Sequence, residues 1–164
     1  MPDTTIEPAE DLRRYELSAM SLAELIEIER KCEQLSYAYA RSVDFRDYDT
    51  FADLFTADGI LDTGREMIGA DTIRAAMNKR PDELRSRHVL TNIYTQVMDR
   101  DSARGISYLT LYRHIGPESL EHGPVAFDRP AAVGHYEDRF ARTLEGWRFA
   151  RRKLHLAFRN ESLF

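Results

Sequence analysis

Cysteine is almost absent from this chain: Cys32 is the only one in 164 residues. A single cysteine excludes an internal disulfide and is typical of proteins in a reducing compartment. Long apolar runs are also missing, so the sequence predicts no membrane-spanning helix. Residues 1–7 lack the basic and apolar segments of a signal peptide. We therefore expect a cytoplasmic protein that makes no membrane contact.

The chain also lacks a large excess of either charge, because 23 basic and 28 acidic residues leave a formal net charge of -5. That balance argues against a nucleic-acid partner, which would require a basic surface. There is no glycine-rich phosphate loop and no clustered motif of metal ligands, since His114, His122, His135 and His155 are scattered along the sequence. The sequence predicts neither a cofactor nor a metal site.

The first half of the chain has helical periodicity. Residues 1–20 read as an N-terminal arm. Ser21 and Glu24 form a capping box that begins a long amphipathic helix, predicted to run to about residue 46. A short helix over 49–55 and a short strand over 59–63 follow. Asp71 is the predicted N-cap of a third helix, which ends before Pro81.

The second half has the two-residue period of strands, predicted over 87–98, 105–114, 132–143 and 146–157. A tight turn at residues 145–146 joins the last two, and residues 115–130 form a long connection of the kind that often covers a site. Trp147 and Phe149 are predicted to pack on the helices. Helices followed by an antiparallel sheet indicate an α+β domain with the helices on one sheet face.

Alternation along the first long strand predicts its two faces. His88, Leu90 and Asn92 point one way, and this mixed polar and apolar face suits a ligand-lining wall. Val89, Ile93 and Val97 point the other way as an apolar row. We expect that row to be buried in a homodimer or homotrimer.

An aspartate and a histidine are the candidate catalytic residues. Asp44 lies in the last turn of the long helix, where the macrodipole disfavours a carboxylate, and such misplaced charge is typical of functional sites. A carboxylate beside His88 would give a general base. Each residue also has a simpler interpretation: His88 as an ordinary strand histidine, Asp44 as a solvated carboxylate, and Tyr39 as a core side chain.

Several segments together resemble a known family. The segments are 39–44 (YARSVD), 51–59 (FADLFTADG), 69–74 (GADTIR), 87–92 (RHVLTN), 134–140 (GHYEDRF) and 146–152 (GWRFARR). In order and spacing they are similar to the nuclear transport factor 2-like superfamily, in the SnoaL-like branch that contains scytalone dehydratase. The resemblance covers residues 20–158, which places the domain at 21–158 and leaves 159–164 as a tail.

The resemblance implies a cone, in which a curved antiparallel sheet wraps round the helices and leaves one deep pocket. It implies that Asp44 pairs with His88 as the base. Tyr39 matches a tyrosine of the bile-acid dehydratases, and Arg152 matches an arginine of the dehydrochlorinases. The predicted substrate-binding residues are Leu90, Asn92, Leu109, Leu111 and Tyr136.

Two departures separate this chain from scytalone dehydratase. Gly134 and Tyr136 occupy positions where that enzyme has a serine and an asparagine, and its second histidine falls nearest Arg113 and His114. These departures argue against scytalone as the substrate.

The sequence therefore predicts a cofactor-free lyase or isomerase acting on a hydrophobic cyclic small molecule. Tyr39 would donate to a developing enolate, and Arg152 would neutralise a leaving group. The alternative is a non-catalytic ligand-binding or assembly domain, because the same fold serves as a transport factor and as a dioxygenase small subunit.

Overall fold

A computed structural model describes residues 17–163, in which helices lie against one six-stranded sheet. The helices are α1 (Leu22–Asp44), α2 (Tyr48–Asp53) and α3 (Ala70–Met77). The strands are β1 (Phe55–Asp62), β2 (Glu66–Ile68), β3 (Leu84–Val97), β4 (Ser102–Ile115), β5 (Ala132–Thr143) and β6 (Gly146–Arg159). Most of the predicted N-terminal arm, residues 1–20, and the last residue of the predicted tail lie outside the described residues.

Helix α1 begins at the predicted capping box. The Glu24 backbone N–H donates to the Ser21 hydroxyl at 3.3 Å, and the Glu24 carboxylate accepts from the Ser21 N–H at 2.8 Å. These two bonds satisfy N–H groups that a helix start otherwise leaves unpaired. The buried face of α1 then follows the helical period and is formed by Ile28, Cys32, Leu35, Ser36, Tyr39, Ser42 and Val43.

The sheet has the strand order β2-β1-β6-β5-β4-β3 and stays open at both edges. Its four long strands form the predicted antiparallel meander, so the α+β class and the order of elements are confirmed. One pairing was not predicted: β1 runs parallel to β6, which places a short strand from the helical half beside the last strand.

The short elements differ most from the sequence prediction. Phe55 begins β1 rather than ending α2, and β2 was not predicted at all. Helix α3 starts two residues earlier than predicted, with Gly69 as its N-cap at φ 89° and no side-chain cap. Asp71 instead lies in the first turn and pairs with Arg74 at 2.7 Å. The positive φ explains the difference, because glycine adopts that conformation without the strain other residues would meet.

A β-bulge in β3 overturns the predicted alternation of that strand. The register with β4 shifts between Thr91 and Tyr94, and Asn92 adopts φ 49°. Before the bulge the even-numbered residues face the interior; after it Thr95 and Val97 do. The extra residue at a bulge reverses which face each later side chain occupies.

The apolar row predicted for an oligomer interface is therefore broken. Val89 is exposed, whereas Val97 belongs to the core and Ile93 is half-buried. The outer face of the sheet does present other exposed apolar side chains, including Tyr94 and Tyr108. The homodimer or homotrimer stays a prediction. Across residues 17–163, no helix combines the length and the apolar character needed to cross a membrane.

The core lies between α1 and α2 and the inner face of the sheet. Phe149 of β6 is fully buried, and its ring lies 5.3 Å from that of Phe55. Trp147 is also buried, so the predicted inward face of β6 is confirmed. Cys32 is fully enclosed here, and burial, the largest cause, raises the pKa of its thiol to about 12.

Candidate active site

Asp44 and His88 meet, as the sequence predicted. The Nδ1 atom of His88 lies 2.6 Å from Oδ1 of Asp44, and the backbone N–H of His88 donates to Oδ2 at 2.7 Å. The Ser86 hydroxyl donates to Oδ1 at 2.9 Å. The side chains are nearly enclosed, with 10% of His88 and 6% of Asp44 exposed. The carboxylate therefore fixes the imidazole through Nδ1 and leaves Nε2 available to a bound molecule.

Arg46 holds the end of α1 against the entrance to β3. It has φ 62°, and its guanidinium donates to the Pro81 carbonyl at 2.8 Å, the Arg80 carbonyl at 3.2 Å and the Asp82 carboxylate at 2.7 Å. Asp44 is the last residue of α1, and His88 lies a few residues into β3. The contacts of Arg46 thus hold the end of α1 near the start of β3, although the two elements are far apart in sequence.

His88 opens onto a cavity of about 310 Å³ between the helices and the sheet. Tyr39 lines the same cavity, with its ring edge-on to that of His88 at 6.3 Å. Tyr136 also lines it and lies 5.5 Å from Tyr39. Burial raises the pKa of both phenols and outweighs the opposing attraction of Arg152. Both tyrosines are therefore protonated donors at neutral pH.

The predicted lining residues divide into two groups. Leu109, Leu111 and Tyr136 line the cavity as expected. Leu90 does not, because it packs against the edge of the hydrophobic core. Asn92 is exposed on the bulge and does not line the cavity, for the same reason that the strand alternation failed.

Arg152 does not line the cavity either, so the structure does not place it where it would face a leaving group. Its side chain is completely buried and is held by Asp138 through two bonds of 2.8 Å, with a third to the Ser36 hydroxyl at 2.9 Å. Its guanidinium lies 4.3 Å from the ring centre of Tyr39 and 4.4 Å from that of Tyr136. Arg152 therefore makes cation–π contacts with the rings of both tyrosines.

Two other arginines do line the cavity and were not predicted as site residues. Arg80 follows α3, and Arg113 lies on β4 directly opposite Ser86. Arg80 donates weakly to the Val43 carbonyl at 3.3 Å and to the Ser86 hydroxyl at 3.5 Å. Burial lowers the pKa of Arg113, and the nearby charge of Arg80 lowers it further. No local sequence pattern marks either residue, because their meeting depends on the tertiary fold.

The long connection at 115–130 does not cover this cavity, since none of its residues lines it. Part of it is a short 3-10 helix over Pro117–Leu120. The side chain of Arg85 donates to several of its carbonyls, including those of Ser119 and Gly123 at 2.7 Å. Phe127 packs on Tyr112 with ring centres 4.8 Å apart. The segment is thus fastened along β3 and β4.

Another polar cluster lies on the outer face of the sheet, away from the cavity. His135 and His155 are cross-strand neighbours with rings stacked at 4.9 Å, so these two histidines are not scattered in space. Glu137 lies 3.3 Å from Nε2 of His155 and 3.8 Å from Nε2 of His135. Two imidazoles and a carboxylate are ligand types that transition metals bind. Lys153 pairs with Glu137 in register and supplies a competing charge.

A larger surface depression lies elsewhere on the molecule. A groove of about 500 Å³ separates α1 from the β5–β6 turn and is bordered largely by charged side chains such as Glu27, Lys31 and Arg142. Neither Asp44 nor His88 reaches it. We place the candidate site at the smaller cavity, because the paired imidazole, two phenols and an apolar wall converge only there among the described residues.

Comparisons with known proteins agree with the fold. The model of the SnoaL-like domain family matches residues 24–153. None of the curated proteins matches the sequence.

Solved structures share the fold. A protein of unknown function from Mycobacterium tuberculosis is 26% identical over 84% of this chain and 79% of its own, with a TM-score of 0.67. A putative scytalone dehydratase from Novosphingobium aromaticivorans is 16% identical over 86% and 91%, with a TM-score of 0.72. LinA is 15% identical over 85% and 92%, with a TM-score of 0.71. Cystatin-like and nuclear transport factor 2-like proteins are also among the similar structures.

Proposed function

The chain belongs to the SnoaL-like domain family, and we propose that it is a cofactor-independent lyase or isomerase whose general base is His88. The observation that carries the proposal is the Asp44–His88 contact of 2.6 Å, in which His88 lines a cavity whose other lining side chains are mostly apolar. A carboxylate in this position sets the tautomer of the imidazole and stabilises the imidazolium that forms. The fold it shares with a putative scytalone dehydratase supports the same class of reaction.

The proposed reaction begins with proton transfer. Nε2 of His88 takes a proton from a carbon next to an electron-withdrawing group, and the carbon–hydrogen electron pair moves toward that group. In an elimination the electrons form a carbon–carbon double bond, and the imidazolium returns its proton to a departing hydroxyl as water. In an isomerisation the proton returns to another carbon. Tyr39 donates to the oxygen on which negative charge develops.

The cavity sets the class of substrate. Its wall is formed mostly by apolar side chains, namely Val43, Phe51, Leu61, Met67, Met77, Leu109, Leu111 and Leu154. At about 310 Å³ the cavity is at the small end of ligand sites, which suits a compact ring. A purely structural or ligand-carrying domain has no need of the Asp44–His88 pair, and this favours the enzyme.

The test is a screen followed by a matched pair of variants. Wild-type protein is incubated with cyclic hydroxy-ketones, halogenated rings and ring carboxylic acids, and elimination or isomerisation is followed by mass spectrometry and NMR. For any reaction found, His88→Ala should lower kcat/KM by about 10²–10⁴-fold. His114→Ala is the control, because His114 also contacts a carboxylate, Glu118 at 3.3 Å, but does not line the cavity. Turnover by His88→Ala at the wild-type rate would end the proposal.

A further inference from the structure

Two histidines and a glutamate meet on the outer face of the sheet, and the proposed proton transfer does not use them. His135 of β5 and His155 of β6 are cross-strand neighbours, and Glu137 follows His135 by two residues on the same face. The ligand atoms of the three side chains all lie within 4.8 Å of one another. Strand pairing fixes their backbones, so no loop has to become ordered to bring the groups together.

The distances within the cluster are close to those of a metal centre. Oε2 of Glu137 lies 3.3 Å from Nε2 of His155, and Oε1 lies 3.8 Å from Nε2 of His135. Two ligand atoms on one tetrahedral Zn²⁺ ion are about 3.4 Å apart, because each bond is about 2.0–2.2 Å long. Small rotations of the two half-buried imidazoles and of the exposed carboxylate close the remaining gap.

One nitrogen of the cluster lacks a bonding partner. Nε2 of His155 is shielded from solvent and makes no hydrogen bond within residues 17–163, although the Glu137 carboxylate is near it. Among the described residues, the ion pairs of Glu137 are with the two histidines, even though Lys153 is its cross-strand neighbour. A shielded nitrogen without a hydrogen bond is unfavourable, and a metal ion bonded to it removes that cost.

We propose that His135, Glu137 and His155 bind one divalent late transition-metal ion, such as Zn²⁺ or Cu²⁺, with water completing the coordination. Imidazole ligands match these ions, whereas Mg²⁺ and Ca²⁺ prefer sites made of oxygen ligands. The proposal does not depend on the proposed reaction.

The position of the ion determines its effect on the fold. Tyr136 of β5 and Leu154 of β6 are also register partners, and both line the cavity from the inner face of the sheet. The ion holds the same two strands from the outer face. Its binding therefore stabilises the sheet behind the cavity wall and leaves the cavity itself accessible.

The experiment measures Zn²⁺ binding to the full-length, tag-free protein by isothermal calorimetry. One ion should bind per chain, and excess Mg²⁺ should not displace it. Loss of a group that only orients a metal ligand costs about 10–100-fold in affinity, so His135→Ala and His155→Ala should each cost at least as much. Zn²⁺ should also raise the melting temperature of the wild type and not of these variants. Absence of saturable Zn²⁺ binding, or undiminished binding by both variants, would overturn the proposal.

Two further variants serve as controls and should bind Zn²⁺ as the wild type does. His114→Ala removes a histidine that also lies 3.3 Å from a carboxylate, that of Glu118, but as a single imidazole. His88→Ala removes the imidazole that lines the cavity. If Zn²⁺ binding is lost in His88→Ala and kept in His155→Ala, the ion binds at the cavity and the outer site is refuted. The catalytic proposal is judged separately, by turnover of His88→Ala.

Electron paramagnetic resonance of bound Cu²⁺ tests the ligands without relying on the folding of any variant. The wild-type spectrum should show coupling to two imidazole nitrogens, and that of His155→Ala to one. Coupling to a single imidazole in the wild type would contradict the proposed ligand set.

The charge next to the cluster provides a test of opposite sign. Lys153 is the cross-strand neighbour of Glu137 and repels a cation bound there. Lys153→Gln should strengthen Zn²⁺ binding by up to about fivefold, since interactions between charges near the surface are weak. Weaker binding by this variant would place the ion elsewhere and overturn the proposal.

Discussion

Asp44–His88 and Asp138–Arg152 are both buried pairs of an acid and a base, but the two are constructed differently. Arg152 is completely enclosed and held by three hydrogen bonds and the faces of aromatic rings. His88 has one side-chain bond, to Asp44, and opens onto a cavity. The first arrangement is closed to solvent, whereas the second leaves a ring nitrogen facing the cavity. The difference teaches that burial alone does not distinguish the proposed reactive pair from the structural one, whereas a ring nitrogen that faces a cavity does.

Removing the acid of the enclosed pair should have the largest effect on stability. Asp138→Ala leaves Arg152 as an uncompensated buried charge, which should lower the free energy of unfolding by about 3–5 kcal/mol. Urea titrations followed by Trp147 fluorescence measure this loss. Glu145→Ala removes the same charge from an exposed side chain and should change stability by at most about 0.5 kcal/mol.

If Asp138→Ala and Glu145→Ala unfold at similar urea concentrations, the Asp138–Arg152 pair does not have the structural role assigned to it. A double variant, Asp138→Leu with Arg152→Met, sharpens it further. Because an apolar pair has no charge to leave stranded, this variant should recover most of the lost stability.

Removing the charge of the open pair should affect turnover more than folding. Asp44→Asn keeps a hydrogen-bonding group beside Nδ1 but cannot balance an imidazolium, so kcat/KM should fall by about 10²-fold or more. Rearranged bonds to Ser86 and the His88 backbone should cost only about 1–3 kcal/mol of stability. Parallel kinetics and urea titrations check both values. Near-normal turnover would place Asp44 with Asp138 as a purely structural acid.

Tyr39 lies between the two pairs, so its hydroxyl tests whether they are coupled. Its ring lies 4.3 Å from the Arg152 guanidinium and 6.3 Å from the His88 ring. Tyr39→Phe keeps both ring contacts and removes one donor, so turnover should fall by about tenfold. A loss as large as that of His88→Ala would contradict this and make the phenol a principal acid. Steady-state kinetics on folded variant protein decide between the two.

The smallest effect is expected at an exposed pair, Glu24 and Arg100, joined at 2.6 Å. Hydrogen bonds from the Ser21 backbone, and then from Arg100, lower the pKa of Glu24 from 4.5 to about 2. A depressed carboxyl pKa stabilises the folded state above pH 4.5, and that contribution is lost as the pH falls toward 2. Glu24→Gln should therefore lower the melting temperature slightly at pH 6 and less at pH 3. High salt should reduce the pH 6 difference, and an unchanged difference in high salt would contradict the assignment to exposed charges.

The features that could be predicted from the sequence are those determined by a few neighbouring residues. The Ser21–Glu24 capping box, the long helix and the four long strands each follow from short patterns, and the resemblance placed Asp44 against His88. The bulge at Asn92 could not be predicted, because a single residue in a left-handed conformation leaves no periodic signal.

The residues around the dyad were also hidden. The positions of Ser86, Arg80 and Arg113 depend on contacts between elements that are distant in sequence. Arginine is also common on protein surfaces, so its presence alone does not indicate a site. The sequence also did not reveal that Asp138 neutralises Arg152 within the core. Charge pairing across strands is a property of register, and register is fixed only when the whole sheet is assembled.

The enclosure of Cys32 has a practical consequence for chemical labelling. Because burial raises the thiol pKa to about 12, very little of the reactive thiolate forms at pH 8, and the side chain has no exposed surface. Maleimide and iodoacetamide probes should therefore not label Cys32 in the folded protein. A cysteine placed near the rim of the cavity would then be its sole reactive thiol, and a fluorophore or spin label attached there would report ligand entry without a cysteine-free background.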